Sequence, residues 1–494
     1  MHVSDRLARP RPKIFWVAWL HRWTGVAFCL MFAVWFASGL MLAFVPFPAL
    51  SPQQRWSEAE RIDLRKLAVA PAQALRHVHD ATTLRLVSID GRPGYVVGSA
   101  TTTATVDGID GRVRERLSAG AASRIAAGFG HAGVRRLDGP LDDDQWVVHQ
   151  KFDPWRPFYR AALDDTLGTV LYVSARTGEV VQRTRANERA WNWVGSIPHW
   201  LYFTQLRRSF TAWDRTVWWL ALAALCSASA GTVLGVYRTW QRARSPKPAW
   251  SGFRGWLRWH HGLGLVAAVF VLGWIFSGWL SMDHGRLFSR GIPDPGQVAR
   301  YSGAPLPVVF AGIDVGALRC LSGATQIDFT AVGSGPVAVA RSPEGTVVSE
   351  GLVGRITGTR LSPEVIRQAA ARVWTLDPLP GVPDSGEALY RQADAIAADA
   401  VRLTTAAPAR TALYFDPASG TVLLALDASR RTYAWLYLAI HTTNVPLLQS
   451  HPVIRRVVQI VPLLLGLAFS LTGVVLGARR LLLSLRKIRP AVTS

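Results

Sequence analysis

Twelve histidines occur in the 494-residue chain, and four stand in apolar stretches: His21, His199, His260 and His441. A polar ring in hydrocarbon finds few partners, so an intramembrane histidine points first to a functional site. The four also form two equivalent pairs. His260 follows His21 by 239 residues, and His441 follows His199 by 242. Other features repeat at the same offsets: Gly25 with Gly264, Ser38-Gly39 with Ser277-Gly278, Gly231 and Gly235 with Gly473 and Gly477, and Trp193 with Trp435. Two facing imidazoles are the axial set of a bis-histidine haem. Neither pair has a cysteine or carboxylate beside it to complete a zinc site. The expectation is one haem between His21 and His260 and a second between His199 and His441, the four histidines being the axial ligands of the haem iron. The alternative use of the rings is hydrogen bonding between packed helices.

Positioning these rings falls to four apolar blocks, residues 14–47, 216–237, 256–282 and 457–477. Each holds about 20 nearly uncharged positions, enough to cross a hydrocarbon core at about 1.5 Å per residue. The first is longer than a signal-peptide core and no small-residue cleavage site follows it, so it is read as a retained helix. The formal charge of +22 is unevenly spread. Segments 48–190 and 284–432 hold 34 of the 55 Lys and Arg and 30 of the 33 Asp and Glu, which leaves +18 in and beside the apolar blocks. A nucleic-acid face would gather that charge on one folded domain, so nucleic acid is excluded as a partner. Three basic clusters are cytoplasmic by the positive-inside rule: Arg6 to Lys13, Arg238 to Arg258, and Arg479 to Arg489.

The expected fold is therefore a mainly α membrane protein, with four transmembrane helices in two parallel repeats and two extracytoplasmic α+β lobes. In chain order it has a cytoplasmic basic tail (1–13), helix 1 (14–47), outer lobe 1 (48–190), an outer apolar segment with helix 2 (191–240) and a cytoplasmic loop (241–255). Helix 3 (256–283), outer lobe 2 (284–432), an outer apolar segment with helix 4 (433–482) and a cytoplasmic tail (483–494) complete it. A parallel repeat has its pseudo-two-fold axis along the membrane normal and brings equivalent histidines face to face. His21 and His260 lie near the cytoplasmic side, His199 and His441 on the outer side, with roughly 20 Å or more between the layers. Both termini are cytoplasmic and both lobes are periplasmic in a bacterial inner membrane.

Arg207, Arg208, Arg455 and Arg456 stand on the outer side against the charge trend. Haem propionates would explain them, since guanidinium matches carboxylate in bidentate fashion, and lipid headgroups are the alternative. Arg22 and Arg258, beside the inner histidines, have the same two readings. His261, His284 and His451 lack an equivalent histidine and are spare ligands or interfacial residues; His77, His79, His131 and His149 belong to the lobe surface. Tryptophans such as Trp16, Trp19, Trp218 and Trp259 fit aromatic belts. Trp56, Trp146 and Trp155 are lobe residues for which core packing competes with substrate contact. Cys29, Cys226 and Cys320 are too scattered for a disulfide framework. There is no Gly-rich dinucleotide fingerprint, P-loop or zincin motif, so no flavin or NAD(P)H site is visible.

In motif order the chain resembles the PepSY-associated transmembrane proteins, which include inner-membrane ferric-siderophore reductases. The carrying stretches are Leu20-His21-Arg22-Trp23-Thr24-Gly25, Arg258-Trp259-His260-His261-Gly262-Leu263-Gly264, the strand-turn-strand Tyr172 to Val181 leading to Pro198-His199-Trp200-Leu201, and Ala439-Ile440-His441 before the last helix. The resemblance implies PepSY-like lobes, b-type haem on the transmembrane histidines, and electron delivery to a ferric chelate such as a siderophore from a cytoplasmic or quinol donor. Two other readings are a quinone-linked b-type cytochrome serving a protein redox partner, and a non-enzymatic PepSY membrane module that regulates a peptidase or transporter.

Overall fold

A computed structural model describes residues 13–352, 354–378, 381–393 and 396–488. The basic tails with Arg6, Arg9, Arg11 and Arg489 lie outside these residues. Four long helices dominate one end of the molecule: α1 (Lys13–Leu42), α2 (Phe210–Ala243), α3 (Gly255–Leu280) and α4 (Pro452–Ile488). All four are long and apolar enough to cross a membrane. Apolar side chains that water would disfavour stand on their outer faces, among them Leu30, Val233, Val266, Val269 and Leu471. Polar groups turn inward instead: Ser38, Ser227, Ser277, Ser470 and Thr472 are buried between the helices. Small residues let the backbones approach, as where Gly477 meets Cys29 and Gly264 meets Phe469. α1 packs on α2 and α4, and α3 packs on the same two, so α1 and α3 are diagonal partners.

The chain enters lobe 1 from the C-terminal end of α1 and lobe 2 from that of α3, so both lobes cap the same end of the bundle. They are not separate bodies. A single seven-stranded antiparallel sheet runs 345–350, 335–342, 326–332, 83–89, 92–98, 103–107, 113–114, its first three strands from lobe 2 and the other four from lobe 1. At the junction Leu84 faces Phe329, Arg85 faces Asp328 and Leu86 faces Ile327. Arg85 and Asp328 are 243 residues apart, close to the offsets of the histidine pairs. One face of the sheet buries Leu84, Leu86, Tyr95, Val97, Ile327 and Phe329 in a shared core. On the other face lies a four-stranded sheet (134–141, 158–163, 170–174, 180–184) in lobe 1 and a three-stranded one (401–404, 412–415, 422–426) in lobe 2.

Arg85 donates to Glu179 at 2.9 and 2.6 Å and so ties the shared sheet to the four-stranded one. Burial works to raise the Glu179 carboxyl, but the Arg85 guanidinium outweighs it and holds the group below the usual carboxylate range. Trp155 is part of this junction, its Nε1 donating to Glu179 at 2.8 Å. Trp56 lies under the Arg341 guanidinium, and Trp146 is buried in the lobe-1 core.

Candidate histidine layers

His21 leaves α1 toward α2, and His260 leaves α3 toward α4. The two rings come together with centres 6.3 Å apart and planes inclined by 31°. His199 sits on a short helix (Ser196–Trp200) and His441 on another (Ile440–Thr442), both folded against the lobe end of the bundle. Their rings are likewise 6.3 Å apart, at 55°. The sequence-predicted histidines therefore meet as two pairs. Ser38, which holds His199, lies seventeen residues beyond His21 on α1, which puts the layers about 25 Å apart along the helix.

Each ring is held through its Nδ1. His199 Nδ1 lies 3.1 Å from Ser38 Oγ, and His441 Nδ1 lies 3.1 Å from Ser277 Oγ. Ser38 Oγ donates its proton to Val34 O at 2.6 Å, and Ser277 Oγ donates to Trp274 O at 3.2 Å. With those protons committed, each hydroxyl accepts and each histidine donates from Nδ1. Inside, Thr472 Oγ1 donates to Phe469 O and so accepts from His260 Nδ1 at 2.9 Å. His21 Nδ1 is 3.1 Å from Ser227 O, a carbonyl that can only accept. All four rings are thereby fixed as the Nδ1–H tautomer, with an Nε2 lone pair that no hydrogen bond reaches among the described residues.

A histidine held through its Nδ1–H keeps its Nε2 lone pair free to ligate a metal. A hydrogen bond at the far nitrogen fixes the tautomer and orientation of a ligand histidine, and each of the four rings has one. A metal bound to one nitrogen of each ring at about 2 Å, with about 1 Å more to each ring centre, separates the centres by roughly 6 Å. No group of three or more His, Cys, Asp or Glu able to hold an ion occurs among the described residues. Two ligands per site suit a metal that brings its other ligands with it, as haem does. Glycines open the room. Cβ atoms at Gly231, Gly39 and Gly278 would lie 2.5, 3.3 and 3.2 Å from the ring carbons of His21, His199 and His441.

Beside His21 and His260 lies a cavity of about 530 Å³ with mostly apolar walls from all four helices, inside the roughly 300–1,000 Å³ range of cofactor pockets. Arg22, Arg238 and Arg480 line it toward the end of the bundle away from the lobes. Arg238 and Arg480 are 242 residues apart, and the offset already seen at Gly231 and Gly473 singles them out. Arg258, expected here, lies over the Trp250 ring 5.0 Å away and does not line the cavity. His261 lines it, but both nitrogens are engaged, Nδ1 with Ser251 Oγ at 3.0 Å and Nε2 with Thr239 Oγ1 and Gly235 O at 3.1 Å.

A family model of the PepSY-associated TM region matches residues 18–311, more than half of the chain. The chain belongs to this family. In this PepSY-associated protein the match takes in His21, His199 and His260 and stops before His441. A comparison with curated proteins gave no match.

The arginines expected on the outer side of this PepSY-associated protein have several surroundings. Arg207 is buried, with the Trp213 ring at 4.2 Å and Tyr202 at 4.9 Å, and donates to Gln150 at 2.5 Å. Its cation is held by aromatic faces of α2 and of the segment just before it, a use that sequence spacing does not disclose. Arg456 lies over Phe44 at 5.9 Å; Arg455 is half-buried and Arg208 exposed. His284 donates to the buried Asp214 at 2.8 Å and ties the end of α3 to the start of α2, while His451 is exposed. His149 caps a short 3₁₀ turn, and burial pushes its imidazole down to about 4.

Proposed function

We propose that the protein is a transmembrane electron conduit that holds two b-type haems, one at His21/His260 and one at His199/His441, and reduces ferric iron, as a siderophore complex, on the periplasmic side of a bacterial inner membrane. The carrying observation is that two separate histidine pairs have the same ring spacing and the same Nδ1-donating tautomer. Equal offsets in the helices and lobes support two parallel repeats about an axis along the membrane normal, with termini in the cytoplasm.

Haem, when bound, supplies a reversible one-electron couple. The chain's own residues orient and insulate it. Ser38, Ser277 and Thr472 fix ring rotation and tautomer, and the Ser227 carbonyl does so for His21. The helix walls exclude water, and Arg22, Arg238 and Arg480 are placed to receive carboxylates at the cytoplasmic mouth. A hydroquinone dissolved in the bilayer is a suitable donor for a site that opens beside the helices.

Reduced-minus-oxidised absorption of protein from haem-replete cells tests the reading. A b-type spectrum with two haems per chain is expected, and His21→Ala should remove one while leaving the outer one spectrally intact. A folded protein without any such band rules out both redox readings and leaves the regulatory membrane module.

A further inference from the structure

The two outer histidines have different connections to the lobes above them. The helix that leads to His441 carries Tyr433 and Tyr437, each four residues from the next ring. Tyr437 is 5.7 Å from His441 and Tyr433 is 5.4 Å from Tyr437, centre to centre. Residues four apart lie on one helix face, so the three rings form a continuous ladder. Arg430 extends it: its guanidinium lies 4.0 Å from the Tyr433 ring and donates to Ser289 O at 3.2 Å. At the equivalent positions before His199 stand Trp191 and Gly195, so among the described residues no such ladder leads to His199.

Ser289 is a wall of a cavity of about 560 Å³ in lobe 2, between residues 289–293 and the 405–411 turn. Arg290, Gln297, Thr375 and Thr411 offer it hydrogen-bond donors, and Trp374 an aromatic surface. We infer that this cavity is the acceptor site, taking a ferric chelate whose iron is wrapped by oxygen donors, and that Tyr433 and Tyr437 link it to His441. Such a chelate presents hydrogen-bond acceptors and apolar linkers together, which suits a guanidinium and hydroxyls set around an indole. The inference rests on the proposed function above. One electron passes from the outer layer to Fe(III), giving Fe(II), and no bond to the protein forms or breaks; one hydroquinone on the donor side, oxidised to quinone with release of two protons, replaces the electrons of two such transfers.

Binding is measured without redox chemistry, by calorimetry on the full chain in nanodiscs with the gallium(III) complex of a linear trihydroxamate. Saturable binding is expected, weakened by about tenfold or more in Ala409→Trp, which fills the cavity from its exposed turn, and in Arg290→Glu. Leu167→Trp, the equivalent change in lobe 1, leaves it unaltered. No binding, or equal binding by Ala409→Trp and Arg290→Glu, overturns the site. The link is read separately: with gallium binding preserved, Tyr437→Leu slows reoxidation of the pre-reduced protein by the ferric complex severalfold, and Tyr437→Phe keeps the rate. An unchanged rate in Tyr437→Leu overturns the ladder. A missing haem spectrum defeats the proposed function but leaves the gallium result standing, so the two failures are distinct.

Discussion

The outer and inner histidine layers share a ring spacing but differ in what holds the rings. Outside, both histidines hang on serine hydroxyls of the diagonal helices α1 and α3, in matching geometry. Inside, the histidines belong to those helices, and their supports on α2 and α4 differ, a backbone carbonyl for His21 and a threonine hydroxyl for His260. Glycine clearance differs in the same sense. A Cβ at Gly231 would crowd His21 at 2.5 Å, whereas one at Gly473 would clear His260 at 3.6 Å. Equivalent positions can thus keep a common distance while their tolerance to substitution diverges.

The largest expected break in that comparison comes from Gly231→Ala. The added methyl displaces the His21 ring, so haem content should fall toward one per chain, while Gly473→Ala keeps two; equal content in both variants would contradict the clearance argument. Side-chain supports give the next effect. Ser38→Ala or Ser277→Ala should weaken retention of the outer haem by about 10- to 100-fold, the usual penalty for losing a hydrogen bond behind a ligand histidine. Transfer to a haem scavenger reads that loss. Ser227→Ala should cost the inner haem less, because the bond to His21 goes to the backbone oxygen at 227 and only the hydroxyl that accepts from Thr24 Oγ1 at 2.8 Å is lost.

A smaller effect separates the lobes. Arg402 donates to Glu387 at 2.6 and 2.9 Å, and Tyr414 at 2.5 Å. Burial works to raise the Glu387 carboxyl, but these bonds prevail and lower it. A folded-state value below the unfolded one contributes stability at neutral pH that disappears as pH falls through the folded value. Glu387→Gln should therefore destabilise lobe 2 by about 3 kcal/mol at pH 7. In denaturant melts the gap from the unmodified protein should close on acidification; a gap independent of pH would exclude the carboxylate as its source.

The membrane helices were legible because about 20 apolar residues in a row have few other uses, and the ring pairing was legible because the offsets put His21 with His260 and His199 with His441. The supports at Ser38 and Ser277 were visible only as repeated dipeptides, without a role. Arg258 and Arg207 illustrate what was hidden: each cation rests on aromatic residues that adjacency to a histidine, or a place on the outer side, does not reveal. The strand contact between the lobes was hidden for another reason. Thr83–Ile89 and Gln326–Val332 are of ordinary strand composition, and nothing local in either names a partner more than 200 residues away.

That contact also bears on how such a chain can be divided. Cut in the 241–255 loop, it yields two pieces, each with one helix pair, one lobe, one histidine from each layer, and an open sheet edge at 83–89 or 326–332. An unpaired edge is adhesive. Neither piece alone hides its edge or supplies a second histidine to either layer, so a half-length version would be obliged to live as a dimer joined by that strand.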